Sequence, residues 1–334
     1  MEIREFTKKD IAQASELLAN RHKKERYIFP SLKRKFEESK HTEKQLAALI
    51  GSSYVIGVAA YENDNLQGFI ISNIRTDGLG NRCAWVGYES FAIADSQAPE
   101  LYRKLYAEIA KIWVKNGALQ HIVVIPAGYP QVVNSWLRLS FAFEQVYGVA
   151  SLAKSEVSIP DNLIIREAGQ KDSEELKKVS NLIYSYQAKS PTFSIALPEK
   201  LEQLRAAYAE LPNDEDEIAV VAYHDDKLVG FQCAYMEDND SVMMTPEKSL
   251  EIEIAGIREE ARGRGIGKLL TDIMYNKALE KGFENAFADW KISNLSASNF
   301  WPQTGFQAVA YKMVRHLDER IFWADGLREL QKRV

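Results

Sequence analysis

Arg258-Glu-Glu-Ala-Arg262-Gly263-Arg264-Gly265-Ile266-Gly267-Lys268 stands between an alternating, strand-like run at 250–257 and a run that puts Ile266, Leu269, Leu270 and Ile273 on one helical face. Three alternate glycines remove Cβ atoms where backbone amides must approach a ligand closely. A helix starting there directs unpaired N–H groups and a positive dipole end at the same spot. The arrangement suits a pyrophosphate, and Arg262, Arg264 and Lys268 add cationic charge. A sharp strand-to-helix turn with solvated basic side chains would need the same glycines, so the loop alone leaves both readings open. Two other phosphate loops do not fit. A P-loop needs a hydroxyl residue after its lysine, and Lys268 is followed by Leu269; the dinucleotide fingerprint would place its third glycine at Lys268.

The loop lies in the second half of a sequence written twice. Ile3-Arg4-Glu5 recurs as Ile165-Arg166-Glu167 and Lys9-Asp10 as Lys171-Asp172, both at an offset of 162 (165 minus 3, 171 minus 9). Leu66-Gln67-Gly68-Phe69 and Leu228-Val229-Gly230-Phe231 keep that offset, and Asn134, Trp136 and Phe141 answer to Asn299, Trp301 and Phe306 at 165. An ordered series with a slowly drifting offset marks a duplication. The elements follow the same order in each copy. The first predicts a strand near Ile3, a helix from Asp10 with Ile11, Ala14, Leu17 and Leu18 on one stripe, and a hairpin of 54–61 with 66–74 turned at Asn63-Asp64-Asn65. A strand ending at Ile93, a helix carrying Leu101, Leu105, Ile109 and Ile112, and a strand at 121–125 come next. The second predicts strands at 218–223, 228–235 and 250–257, the helix at Ile266, and a strand at 285–290. The expected class is α/β (α+β): a mixed, mostly antiparallel sheet flanked by helices, in two domains at 1–157 and 161–334 joined near Ser158-Ile159-Pro160-Asp161.

Composition narrows the functional classes. Of 334 residues, 46% are hydrophobic and 27% charged, so each half can bury a core. A net charge of -5 argues against nucleic-acid or anionic-membrane binding driven by charge. Cys83 and Cys233, far apart and without metal-ligand spacing, indicate neither a disulfide framework nor a zinc site, and a reducing cytoplasm is the expected location. No apolar run approaches the ~20 residues that span a bilayer, and MEIREFTKKD lacks the apolar stretch of a signal peptide.

Arg262-Gly-Arg-Gly265-Ile-Gly267, directly after a strand, matches the pattern Gln/Arg-x-x-Gly-x-Gly/Ala, and Asn294 with Asn299-Phe300-Trp301-Pro302-Gln303-Thr304-Gly305-Phe306 resembles the later helix and closing Gly-Phe of the same family. On these residues the chain resembles the GNAT superfamily, the GCN5-related N-acetyltransferases, as a tandem two-domain member. The likeness is concentrated in residues 250–306, and the repeat extends the plan over the chain. It implies a tandem duplicated GNAT-like fold and an acetyl-CoA-dependent N-acetyltransferase moving an acetyl group directly to an amine. No metal is implied, and the acceptor is a small-molecule or protein amine; acceptor identity and oligomeric state stay open. The implied cofactor residues are Arg262, Gly263, Arg264, Gly265, Ile266, Gly267 and Lys268 at the pyrophosphate, with backbone groups of Ala255, Gly256 and Ile257 along the pantetheine arm. Asn294 would meet the arm from the other side, and Trp301 is counted with the cofactor residues.

Direct transfer needs an amine that is unprotonated when it attacks, hence a base near the thioester. Glu251 and Glu253 lie on the strand feeding the loop, where period-two geometry puts both on one face with Ala255 and Ile257. Glu251 falls where many members of the family carry the general base. Both carboxylates equally suit solvent-facing strand positions. The tyrosine that family members commonly use to protonate the thiolate is replaced by Trp301, whose indole N–H is no acid, and Tyr311 is a candidate substitute. The competing class is a non-catalytic acyl-CoA-binding sensor or regulatory protein.

The first copy departs from the signature. Counting from Ile93 as from Ile257 puts Ala98, Pro99, Glu100, Leu101, Tyr102 and Arg103 where the second copy has Arg262 to Gly267, so no glycine remains. Proline lacks an N–H and Glu100 brings negative charge, which makes the first domain a degenerate partner.

Overall fold

The duplicated Ile-Arg-Glu segment becomes the same polar latch in both copies. In the computed structural model, which describes residues 1–236 and 241–324, Arg4 Nη2 donates to Asp10 Oδ1 at 2.8 Å and the Tyr61 hydroxyl donates to the same oxygen at 2.6 Å. Arg166 and Tyr223 make the equivalent bonds to Asp172, both at 2.8 Å. Burial pushes the Asp172 carboxyl up, but Arg166, the Gly169 N–H and Tyr223 outweigh it and pull it down to about 2. The repeat that is easiest to see in the sequence is therefore scaffold, tying the first strand of each copy to the start of its helix.

The first copy runs β1 (Glu2–Glu5), α1 (Ile11–Ile28), α2 (Ser39–Gly51), β2 (Val55–Glu62), β3 (Asn65–Thr76), β4 (Arg82–Val86), β5 (Phe91–Ile93), α3 (Glu100–Lys115), β6 (Gln120–Pro126), α4 (Pro130–Leu137) and β7 (Ala142–Ser151). The second runs β8 (Leu163–Glu167), α5 (Ser173–Val179), α6 (Leu182–Gln187), α7 (Pro198–Glu210), β9 (Glu217–His224), β10 (Lys227–Tyr235), β11 (Ser249–Ile257), α8 (Ile266–Glu280), β12 (Asn285–Lys291), α9 (Leu295–Gln303) and β13 (Gln307–His316). Both leading hairpins turn on a pair of left-handed residues, Asn63 and Asp64 (φ 50° and 63°) and Asp225 and Asp226 (φ 48° and 59°), residue types that tolerate that region.

The chain forms two compact units, one of Met1–Pro30, Arg34–Glu144 and the described residues from Ala310 on, the other of Ser31–Lys33 and Gln145–Val309. The first unit's strands lie in the order β1-β2-β3-β4-β6-β13, with β5 also on β3; the second's in the order β7-β12-β11-β10-β9-β8. Pairing is antiparallel except between β4 and β6 and between β11 and β12, the pairs joined by the crossover helices α3 and α8. The sheet class is the expected one. The compact units, however, cut across the sequence halves 1–157 and 161–334, because β7 passes into the second unit at Gln145 and β13 into the first at Ala310.

Helical stripes bury as their spacing dictates. Leu101, Leu105 and Ile109 of α3 join Ile70, Val123 and Trp136 in the first core, and Leu176, Val179 and Tyr208 join Val221 and Phe231 in the second. Among the described residues no helix is long and apolar enough to cross a membrane.

Candidate active site

The site opens where two parallel strands stop pairing. β11 and β12 run together from Ser249–Asn285 to Ile252–Ala288 and then part, while β11 stays paired to β10 as far as Ile257. The diverging part of β11 thus keeps one backbone edge without a strand partner, and a cleft of about 750 Å³ fills the gap. Ala255, Gly256 and Ile257 line one wall and Asn294, Ser296 and Trp301 the other, and the glycine loop closes one end.

At that end α8 begins with its first amides open. Leu269 is the donor to Gly265 O at 3.1 Å, which leaves Ile266, Gly267 and Lys268 ahead of it without intrahelical acceptors. Gly263 and Gly265 hold φ of 73° and 76°, and a Cβ on either would project into open space. Their backbone is left-handed and the space beside it is empty, as a cradle for a bulky anion requires. Gly267 serves packing instead: a Cβ there would come within 3.1 Å of the Phe300 ring. The three cations divide. Arg262 stacks over the Tyr186 ring at 4.3 Å and donates Nε to Ile257 O. Lys268 pairs with Asp272 at 2.6 Å. Arg264 is exposed and, among the described residues, has no ion-pair partner.

Gln232, on the β10 position opposite Ala255, lines the cleft at 2% exposure. Its Oε1 accepts from Thr271, while its Nε2 donor has no partner among the described residues. A buried orphan amide beside an open amide cradle is the donor set that an amide- and phosphate-bearing chain such as coenzyme A would satisfy.

Two residues that the resemblance would assign to the cofactor have structural partners as well. Asn294 caps α9, its Oδ1 accepting from Ala297 N at 3.2 Å. Trp301 is 6% exposed and meets Phe306 edge to face at 5.2 Å, as Trp136 meets Phe141 at 5.2 Å in the first copy. A tryptophan that both copies keep in one packing role is explained by packing.

The carboxylates sit differently from the period-two expectation. Cys233 lies opposite Ile254 but Ala234 opposite Ile252, so β11 carries an extra residue at Glu253. The bulge moves Glu251 off the face of Ala255 and Ile257. It shares instead the face of Ile254, Tyr235 and Phe287, its partners in register. Glu251 is half-buried and Glu253 exposed. Burial first, then the charges of Asp289 and Glu253, push the Glu251 carboxyl up to about 7. Neither Glu251 nor Glu253 has a hydrogen-bond or ion-pair partner among the described residues.

Tyr311, the candidate substitute acid, belongs to the first compact unit. It lies on the part of β13 that belongs to the first unit, opposite Ile125 and 4.9 Å from the Phe143 ring. Tyr186 is the cleft residue that sequence reading missed: its ring carries Arg262 and its hydroxyl meets Ser296 Oγ at 2.7 Å. An aromatic on a short helix gives no sequence signal separating such a role from packing.

A fold with this splay and cradle is that of the GNAT acetyltransferases, and residues 183–306 match the family model described as "Acetyltransferase (GNAT) family". Similar structures extend the likeness to nearly the whole chain. A GCN5-related N-acetyltransferase from Sphaerobacter thermophilus superposes with a TM-score of 0.59 at 11% identity, covering 94% of this chain and 95% of that one. A tandem GNAT protein from the clavulanic acid biosynthesis pathway gives 0.50 at 13% identity, covering 94% and 98%. Among curated proteins no sequence matches. Residues 183–306 thus match the GNAT family, and the fold of nearly the whole chain is that of tandem GNAT structures.

Proposed function

We propose that the second unit is an acetyl-CoA-dependent N-acetyltransferase. One observation carries the reading: the unpaired edge of β11 and the open amides of Ile266 to Lys268 face a single cleft. Acetyl-CoA is the cosubstrate, its pyrophosphate on the amides of 263–268 with Arg264 nearby, its pantetheine arm along Ala255 to Ile257, and Gln232 Nε2 and Asn294 as further polar contacts. The acceptor approaches on the face of Glu251. The amine lone pair attacks the thioester carbonyl carbon, Glu251 takes the amine proton, and the carbon–sulfur bond breaks to leave the thiolate. The products are an acetamide and coenzyme A, the thiolate taking its proton from solvent because Trp301 has none to give. Two buried free thiols suit the reducing cytoplasm expected for the chain.

Calorimetry with coenzyme A tests the binding step, and one site per chain is expected. Free-thiol release that depends on added amine tests the chemistry. Trp301 in place of tyrosine favours one rival, a binder of acyl-CoA without turnover. That rival predicts tight binding with no amine-dependent release, and two equivalent sites would overturn the assignment to one unit.

A further inference from the structure

The face that carries Glu251 is crowded with carboxylates. Strand register sets Glu217, Tyr235, Glu251 and Phe287 in one row across four strands, with side chains on one side of the sheet. Glu253 is the bulged residue beside Glu251. Asp289, two residues beyond Phe287 on the same side, accepts from the Gln145 amide. Glu217 accepts from the Cys233 thiol at 2.6 Å, a neutral donor that leaves its charge in place. The mutual repulsion shows in Glu251, whose proton is held by burial and by the charges of Asp289 and Glu253.

A second observation is independent of these charges. The Tyr208 hydroxyl, on a side chain 2% exposed, has no hydrogen-bond partner among the described residues. It lies among Tyr184, Cys233 and Glu253, held by the edge-on contact of its ring with Phe231 at 5.6 Å. Leaving a buried hydroxyl unpaired is costly, and an N–H from a ligand would satisfy it. Beside the acids, Tyr147 stacks flat on Phe287 (6.0 Å, 12°), an apolar surface suited to methylenes.

We propose that the acceptor is a small aliphatic di- or polyamine, its reacting amine at Glu251 and a second ammonium held by Glu253, Glu217 and the Tyr208 hydroxyl. The proposal rests on the acetyltransferase reading for its reacting end but not for its binding end. A monoamine leaves Glu253 and Glu217 uncompensated, and an amino acid brings a third carboxylate into the same field. Glu217 and Glu251 are two strand spacings apart, about 10 Å, a span that an extended polyamine covers.

The test compares 1,4-diaminobutane, butylamine and 4-aminobutanoate. Thiol release is followed for each, and binding of 1,4-diaminobutane to coenzyme A-saturated full-length protein is measured by calorimetry. The diamine is expected to exceed butylamine in kcat/KM by tenfold or more, with 4-aminobutanoate lowest, and the advantage should shrink in high salt. Glu253→Gln and Tyr208→Phe should each weaken diamine binding about three- to tenfold. Diamine binding that responds to these substitutions without thiol release supports the diamine-binding site and removes the acetyl-transfer reading. Turnover of butylamine within twofold of the diamine, or diamine binding that is absent or indifferent to both substitutions, overturns the proposal and leaves acetyl transfer standing wherever another amine releases thiol.

Discussion

The two copies hold the same strands around unlike contents. In the second unit the position after Ile257 opens into glycines, and the amides of Ile266 to Lys268 face the cleft. In the first, α3 starts behind Pro99, and the amides of Leu101 and Tyr102 are spent on Ala98 O and Pro99 O at 3.0 and 3.1 Å. Phe91 occupies the register position of Ala255: it pairs with Ile70 as Ala255 pairs with Gln232. Its carbonyl, together with that of Tyr88, accepts from the Arg21 guanidinium, which is paired in turn with Glu25 at 2.8 Å. Tyr88 donates to Glu25 at 2.6 Å, and the Tyr102 ring stacks on Trp136 and meets Phe91 edge to face. The first copy satisfies internally, with Arg21 and the aromatics around it, the backbone edge that the second leaves open.

Closing the open side breaks this contrast most severely. Gly265→Val forces a β-branched residue to φ near 76° and puts its side chain into the cradle. Coenzyme A binding should disappear from calorimetry while circular dichroism stays native, and unchanged affinity would place the pyrophosphate elsewhere. Next comes Glu251→Gln, which keeps shape and loses basicity. Turnover at neutral pH should fall by about 10² to 10⁴ with coenzyme A affinity intact, and the acidic limb of wild-type kcat/KM should centre near pH 7. Equal loss in Glu253→Gln alone would move the base to the bulge.

The filled side yields a smaller effect. Arg21→Met leaves Glu25 and the two carbonyls buried without their donor, a cost of about 3 kcal/mol in urea unfolding, partly recovered in the double variant with Glu25→Gln. Coenzyme A stoichiometry should stay at one, because α3 still lacks free amides. Smallest is a linkage effect at Glu251. Its folded carboxyl holds a proton up to about pH 7, whereas the unfolded one releases it near 4.3. The folded state therefore binds more protons across that window, and stability falls as pH rises through it. Glu251→Gln should flatten that slope and gain about 1 kcal/mol at pH 8, discounted for solvent screening.

What the sequence made legible follows from local chemistry. Glycines at 263 and 265 announce left-handed backbone, and the Arg4–Asp10 and Arg166–Asp172 latches announce the duplication, because each is decided by residues a few positions apart. The bulge at Glu253 was not legible. No glycine or proline marks it, and it exists only in the register of β11 against β10. The Arg21 plug was hidden for a similar reason: its acceptors lie about 70 residues along the chain, as backbone carbonyls with no signature. The strand exchange was hidden as well, since a repeat records which strands exist and is silent on which sheet each completes.

That exchange bears on how the protein is made. β6, with its run His121-Ile-Val-Val-Ile125, gains its outer neighbour only from β13. The ribosome must add 180 residues after Pro126 before Gln307 appears (306 minus 126). At ordinary elongation speeds that is about ten to forty seconds, during which the nascent first unit presents a bare apolar strand edge of the kind that pairs with other chains. Residues 1–157 expressed alone would keep that edge permanently and should aggregate on sizing, where the full chain stays dispersed. β13 is thus the strand that covers this edge of the first unit.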